Sequence, residues 1–247
     1  MSAIQTVHPE VVGILGGMGP AAGADFARLF VLACTRRMEQ LGLPVNDQGF
    51  PEHWLAQVPV PDRSRALADT TPGAHQPLDP MLMALGRLAA LGARAVAIAC
   101  NTAHAWHAPL QARFPQIELL HIANETAAHL AARGVREAVL LATEGTYGTG
   151  LYDAALQHAG VTCHRPTPDE RATVMRGIYD GVKAGDLALA RECFTSVALA
   201  TASRHPGSAI IMGCTEIPLA LPGHVTDLVL VDPAEVLAAA LAARAYA

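Results

Sequence analysis

Charge and aromatic rings are what this chain has least of. Among its 247 residues, charged side chains make up 16% and aromatic ones 4%. Lys plus Arg number 17 against 22 Asp plus Glu, a formal charge of -5, so no basic surface offers nucleic acid an electrostatic footprint. No apolar run approaches the ~18 residues that a membrane span requires. The opening residues, MSAIQTVHPEVV, lack the basic stretch, apolar stretch and cleavage site of an export signal. A cytoplasmic protein with neither nucleic-acid nor membrane partner is expected. There is also no CxxC pair: Cys34, Cys100, Cys163, Cys193 and Cys214 are odd in number and widely spaced. That pattern fits neither a disulfide framework nor a zinc ribbon, and it predicts free thiols.

Small apolar residues are plentiful instead. Hydrophobic residues reach 51%, with 48 alanines against 11 aromatics. The balance argues against disorder and predicts a core of closely approaching helices and aliphatic strands. The length allows one large α/β domain or two of about 120 residues each.

Short aliphatic runs alternate with longer amphipathic ones. Residues 11–15 (VVGIL) read as a buried parallel strand ended by Gly16 and Gly17. Pro20 then stands in the first turn of a helix over 21–38, with Phe26, Leu29, Phe30 and Cys34 on one face. Residues 44–79 are irregular, with a strand possible within 53–60, and long irregular stretches in compact chains are often functional. Strands are predicted at 95–99, 118–122, 138–141, 209–212 and 228–231. Helices are predicted at 80–91, 125–133, 150–159, 169–184, 186–204 and 234–245. The alternation specifies an α/β fold with mostly parallel sheets.

Two of these strands end alike. AVAIA runs into Cys100-Asn101-Thr102 and AIIMG into Cys214-Thr215-Glu216, 114 positions apart and close to half the chain. Ligands of open parallel sheets bind beyond the carboxyl ends of strands, which is where both thiols fall. The alternative is two buried structural cysteines. A thiolate on one side of a substrate and a thiol on the other can remove and return a proton, inverting a stereocentre without a cofactor. Asn101, Thr102 and Thr215 are then either carboxylate donors or helix caps. Gly17-Met18-Gly19-Pro20-Ala21-Ala22 matches a dinucleotide-binding pattern, but Glu39, at the expected acidic position, ends a helix and not a strand. The same turn offers backbone N–H groups to a carboxylate, or is a plain β-α turn. Cys100 and His104 have a metal-compatible spacing, yet the remaining ligands of a structural site are missing and no metal is expected. His104 reads as a packed neighbour of Cys100, His107 as a helix-surface residue, and Glu216 as a surface cap, a partner that holds the Cys214 proton, or a repellent to its thiolate. Arg63 and Lys183 are isolated cations near loop signals, a pattern common to surface charges.

Taken together, GILGGMGP at 13–20, VPDR at 60–63, CNTAH at 100–104, LLATEGT at 140–146, IYDGVKAG at 178–185 and GCTEIPL at 213–219 resemble the aspartate/glutamate racemase family, the cofactor-independent amino-acid racemases. The resemblance implies two pseudo-symmetric α/β domains around a shared cleft, one of residues 1–113 plus 225–247 carrying Cys100, the other of 114–224 carrying Cys214. It makes Cys100 and Cys214 the two proton carriers. Asn101, Thr102 and Thr215 would hold the α-carboxylate and amino group, and Met18 would line the pocket. Arg63 and Lys183 would face a side-chain carboxylate, while Thr143 and Thr146 would line the second domain's loop. No cofactor is implied, the partner is a small amino-acid substrate, and a homodimer is expected. EHWLAQVPVPDR departs from the family's pattern ahead of Arg63, so side-chain specificity stays open between aspartate and glutamate. A hydantoin racemase, a maleate isomerase and a silent amino-acid-binding module are the other readings.

Overall fold

The computed structural model describes residues 8–71, 74–221 and 227–247, and within them the short apolar runs form two four-stranded parallel sheets. The first contains β1 (Val12–Gly16), β2 (His53–Gln57), β3 (Ala95–Ile98) and β4 (Glu118–Leu119), in the order β2-β1-β3-β4. The second contains β5 (Glu137–Ala142), β6 (Thr162–His164), β7 (Ala209–Gly213) and β8 (Leu230–Val231), in the order β6-β5-β7-β8. The two orders coincide when β5 is matched to β1, and that match sets β7 on β3. The helices are α1 (Pro20–Gln40), α2 (Arg63–Ala68), α3 (Leu78–Ala90), α4 (His107–Arg113), α5 (Ile122–Ala132), α6 (Glu144–Thr149), α7 (Leu151–His158), α8 (Pro168–Arg176), α9 (Leu187–Arg204), α10 (Ile217–Ala220) and α11 (Pro233–Ala245). None of the described helices is long and apolar enough to cross a membrane.

β1, β3 and β7 are buried along their whole length because helices cover both faces of each sheet. α1 starts on Pro20 and turns Phe26, Leu29, Phe30, Ala33, Cys34 and Met38 inward at helical spacing. Burying Phe26 and Phe30 contributes roughly 1.5–3 kcal/mol each. Alanine sets the spacing on that side: Ala95, Ala97 and Ala99 share a core with Ala234, Ala238, Ala242 and Ala245 of α11, so helix and sheet approach closely. The opposite face of β3 carries Val96 and Ile98 into a second core with α3.

Two strands depart from the expected domain limits. Glu118–Leu119 falls beyond the expected limit at 113, yet it pairs with β3 in the first sheet. The segment is tied to β3 by backbone bonds from Glu118 to Arg94 and from Leu120 to Val96, and Gln111 of α4 holds it from the other side by donating to the Ile117 carbonyl and accepting from the Leu119 N–H. Leu230–Val231, expected to return to the first half, pairs with Ile210 and Ile211 in the second sheet. Only α11 packs back on the first, and the expected boundary at 225 lies outside the described residues. The single helix expected over 169–184 is also broken. α8 ends at Arg176 and is followed by a π turn, Gly177–Gly181, and a 3-10 turn, Val182–Ala184. Gly177 is pressed against α9, where a Cβ would lie 2.5 Å from Phe194. This irregular winding, and not a regular helix, presents Lys183.

The turn after β1 is equally tight. Gly17 has φ +94, and a Cβ there would lie 2.2 Å from the Val58 carbonyl oxygen. Gly17→Ala is therefore expected to lower stability by at least about 2 kcal/mol, combining the left-handed backbone penalty with the clash. A urea titration against the parent protein measures it, and an unchanged midpoint contradicts this account of the turn.

Candidate active site

Side-chain alternation along two strands brings the thiols to the cleft. On β3, Val96 and Ile98 share a core face that continues to Cys100; on β7, Ile210 and Met212 share one that continues to Cys214. Residues two apart point to the same side of a strand, so each cysteine extends its strand's even-numbered face past the sheet's carboxyl end. Each is 6% exposed, and both line one cleft. The remaining thiols lie elsewhere: Cys34 and Cys193 are core residues, and Cys163 sits on β6. Burial pushes the Cys34 thiol up to about 12, as befits an inert core group.

One side of the cleft is built around a buried cation. Arg63, 8% exposed at the start of α2, donates to the carbonyls of Val60 at 3.2 Å, Pro61 at 3.1 Å and, more closely, Met18. It lines the cleft together with Cys100, and its charge acts against burial to lower that thiol. Asp62 caps α2 by accepting from the Arg65 N–H, takes the Tyr179 hydroxyl at 2.8 Å, and lies 3.9 Å from the Lys183 ammonium. Burial works against the Asp62 carboxylate, but these partners outweigh it and hold it below its ordinary range. Lys183, the chain's only lysine, also sits 4.2 Å over the Tyr179 ring. On the opposite side, Cys214 donates to Glu216 Oε2 at 3.0 Å, and the Thr215 hydroxyl donates to the same oxygen at 3.2 Å.

Polar donors complete the walls. Tyr152 of α7 donates at 2.6 Å to Asn101 Oδ1, which leaves the buried Asn101 Nδ2 without a partner among the described residues. Thr102 Oγ1 lies 2.9 Å from both Thr143 and Thr146, so three buried hydroxyls join the two halves. Met18, Arg63, Cys100, Asn101, Thr102, Thr143, Lys183, Cys214 and Thr215 all line the cleft, and Thr146 stands behind Thr143. Sequence reasoning missed Asp62, Ser64 and Tyr179, which line it too, and Tyr152, which lies behind Asn101. The four-residue step from Tyr179 to Lys183 was a readable signal; nothing in the sequence marked Tyr152.

His104 packs below the cleft, with Nδ1 2.9 Å from the Cys100 carbonyl oxygen, so the Cys100-His104 spacing serves packing. Burial pushes His104 down to about 3, with His121 adding to the effect, and it pushes His121 down to about 4, with His107 adding there. His107 is half-buried and not simply on the surface, its Nε2 lying 2.7 Å from the Leu119 carbonyl oxygen.

The chain is similar to known proteins in sequence and in fold. Residues 15–241 match the family model described as Asp/Glu/Hydantoin racemase. The chain is 23% identical to the broad specificity amino-acid racemase RacX of Bacillus subtilis (strain 168), over 92% of this chain and 95% of that one. Its structure is similar to that of Picrophilus torridus aspartate racemase, with a TM-score of 0.78 and 28% identity over 96% of this chain and 94% of that one. It is also similar in fold to an aspartate racemase homologue from Pyrococcus horikoshii, with a TM-score of 0.71 and 22% identity over 96% and 99% of the two chains.

Two outcomes follow from the site's packing. Because His104 and His121 stay neutral in the folded state to about 3 and about 4 but take up protons near 6.5 when unfolded, the unfolded chain binds more protons between those limits. Stability should therefore fall as pH drops from 6.5 toward 4, and His104→Gln should flatten that slope in urea midpoints. Tyr152→Phe should cost about 1 kcal/mol through loss of the Asn101 bond. Thermal unfolding measures it, and an unshifted melting temperature rules the bond unimportant.

Proposed function

The chain belongs to the Asp/Glu/hydantoin racemase family, and from that premise we propose that it racemises an acidic amino acid, aspartate first and glutamate next, using Cys100 and Cys214 as its two acid/base groups and no cofactor. One observation carries the reading: two thiols, at matching positions past matching strands, line the same small cleft. A thiolate on one side removes the Cα proton, and the thiol on the other delivers one to the opposite face. The pair then exchanges roles for the reverse reaction. Because the two thiols share a cleft, they titrate jointly.

The Cα proton is far less acidic than a thiol, so the developing carbanion needs preorganised donors and positive charge, worth several kcal/mol (about 3 for one well-placed donor). The unpartnered Asn101 Nδ2 and the hydroxyls of Thr102, Thr143 and Thr215 are suited to the α-carboxylate. Lys183 is the cation for a side-chain carboxylate, which would displace Asp62 as its counter-ion. The same contact supports a second reading with wider substrate range. Arg63 already donates to three carbonyls, with its buried Nε unpartnered among the described residues, and Lys183 is already paired, so neither cation is held free for a side-chain carboxylate.

Incubating L-aspartate in D2O should place solvent deuterium at Cα while the D form appears; absence of exchange with every acidic and neutral amino acid would falsify the racemase reading. Cys100→Ser and Cys214→Ser should each reduce racemisation by at least about 100-fold, the lower range for losing an acid/base group. Turnover near the parent rate in either variant excludes the two-base mechanism. Lys183→Met should raise KM for aspartate and leave that for alanine unchanged. Equal parent rates with both substrates would replace the acidic preference by the wider one.

A further inference from the structure

The two thiols are equally buried, each 6% exposed, but their neighbours are opposite in hydrogen-bonding character. Cys100 shares the cleft wall with the Arg63 guanidinium, which is a donor only and stays charged at every accessible pH. A positive charge beside that sulfur favours its thiolate form. Cys214 faces Glu216 Oε2 at 3.0 Å, an oxygen that already takes the Thr215 hydroxyl at 3.2 Å. A sulfur held there has to donate, and only the thiol form can.

We propose that Arg63 and Glu216 polarise the pair, so that the first proton the pair gives up leaves Cys100, and the thiolate forms there while Cys214 keeps its proton. Arg63 and Glu216 are thus positioning residues for the two-base chemistry, and the inference rests on the racemase reading. The other groups around the pair do not offset them. Asp62 and Lys183, beside Arg63, are paired with each other at 3.9 Å. Tyr179 and Tyr152, which lie within range of Cys214, are both held neutral by burial. Burial holds both thiols above their ordinary range; for Cys100, Arg63 opposes burial and a smaller push from Glu216, whereas Glu216 drives Cys214 well further up and a charged Cys100 adds to that push. The consequence is directional. With one proton lost, the pair is ready only for the enantiomer that presents its Cα–H to Cys100, and the other waits until the proton has moved between the sulfurs.

Alkylation by iodoacetamide, followed site by site with peptide mass spectrometry across pH, reads the assignment directly because the thiolate is the reacting form. The expected result is at least about tenfold faster labelling of Cys100 below both midpoints, which corresponds to about one pH unit between them. Glu216→Gln should bring the Cys214 midpoint down toward that of Cys100. Faster or equal labelling of Cys214 in the parent protein overturns the proposal. Should Glu216→Gln fail to fold, the ultraviolet thiolate absorbance of Cys214→Ser and Cys100→Ser, each taken against the double variant, gives the same comparison. The protein retaining Cys100 should titrate at the lower pH, and the reverse order also overturns the assignment. Deuterium exchange with Cys214 labelled first removes this inference and leaves the racemase reading intact. Cys100 labelled first without any exchange removes the racemase reading and leaves the polarity of the pair.

Discussion

A buried guanidinium ties the cleft together. Arg63 donates to the Met18 carbonyl in the turn after β1 and to the Val60 and Pro61 carbonyls in the segment after β2, and it lines the cleft with Cys100, which follows β3. The carboxyl ends of the neighbouring strands β2 and β1 are thereby joined by one side chain, beside that of β3. Such a charge is held away from water by three accepting carbonyls, while its Nε has no partner among the described residues; each carbonyl it satisfies would otherwise cost about 1–3 kcal/mol. The glycine turn and the irregular segment owe their relative positions to these contacts. The tightness of Gly17 against Val58 belongs to the same knot.

The second sheet repeats the backbone plan without repeating this chemistry. β7 occupies the place of β3, and Cys214 extends the Ile210 and Met212 face as Cys100 extends that of Val96 and Ile98. Yet no arginine stands over Cys214; Glu216 does, two residues further along the chain. A fold with near-symmetric halves therefore holds two thiols in unlike fields, and the difference comes from single side chains and not from the strands. The halves are joined by polar contacts at the cleft, Tyr152 to Asn101 and the three threonines, and by apolar packing of α11 on the far side.

Much of this was legible in the primary structure, and what was not has a common cause. Apolar runs such as VVGIL, AVAIA and AIIM announced central strands because burial on both faces leaves them no polar positions. Pro20 and Asp232-Pro233 marked helix starts, where a missing N–H costs nothing. The two-residue strands Glu118–Leu119 and Leu230–Val231 were harder to assign because segments that short carry no periodicity, and only their pairing partners decide which sheet they join. The helix over 169–184 was drawn too long because its break at Gly177 answers to Phe194, a residue on another helix.

Local composition and the periods that neighbouring residues share fix the fold class, the free thiols and the two strand-end cysteines. Which charges meet depends on packing across the molecule. Asp62 beside Lys183, Arg63 beside Cys100 and Tyr152 behind Asn101 are pairings of residues that spacing along the chain does not relate. Electrostatic and hydrogen-bond energies depend on distances across the cleft, and those distances exist only once both sheets are packed.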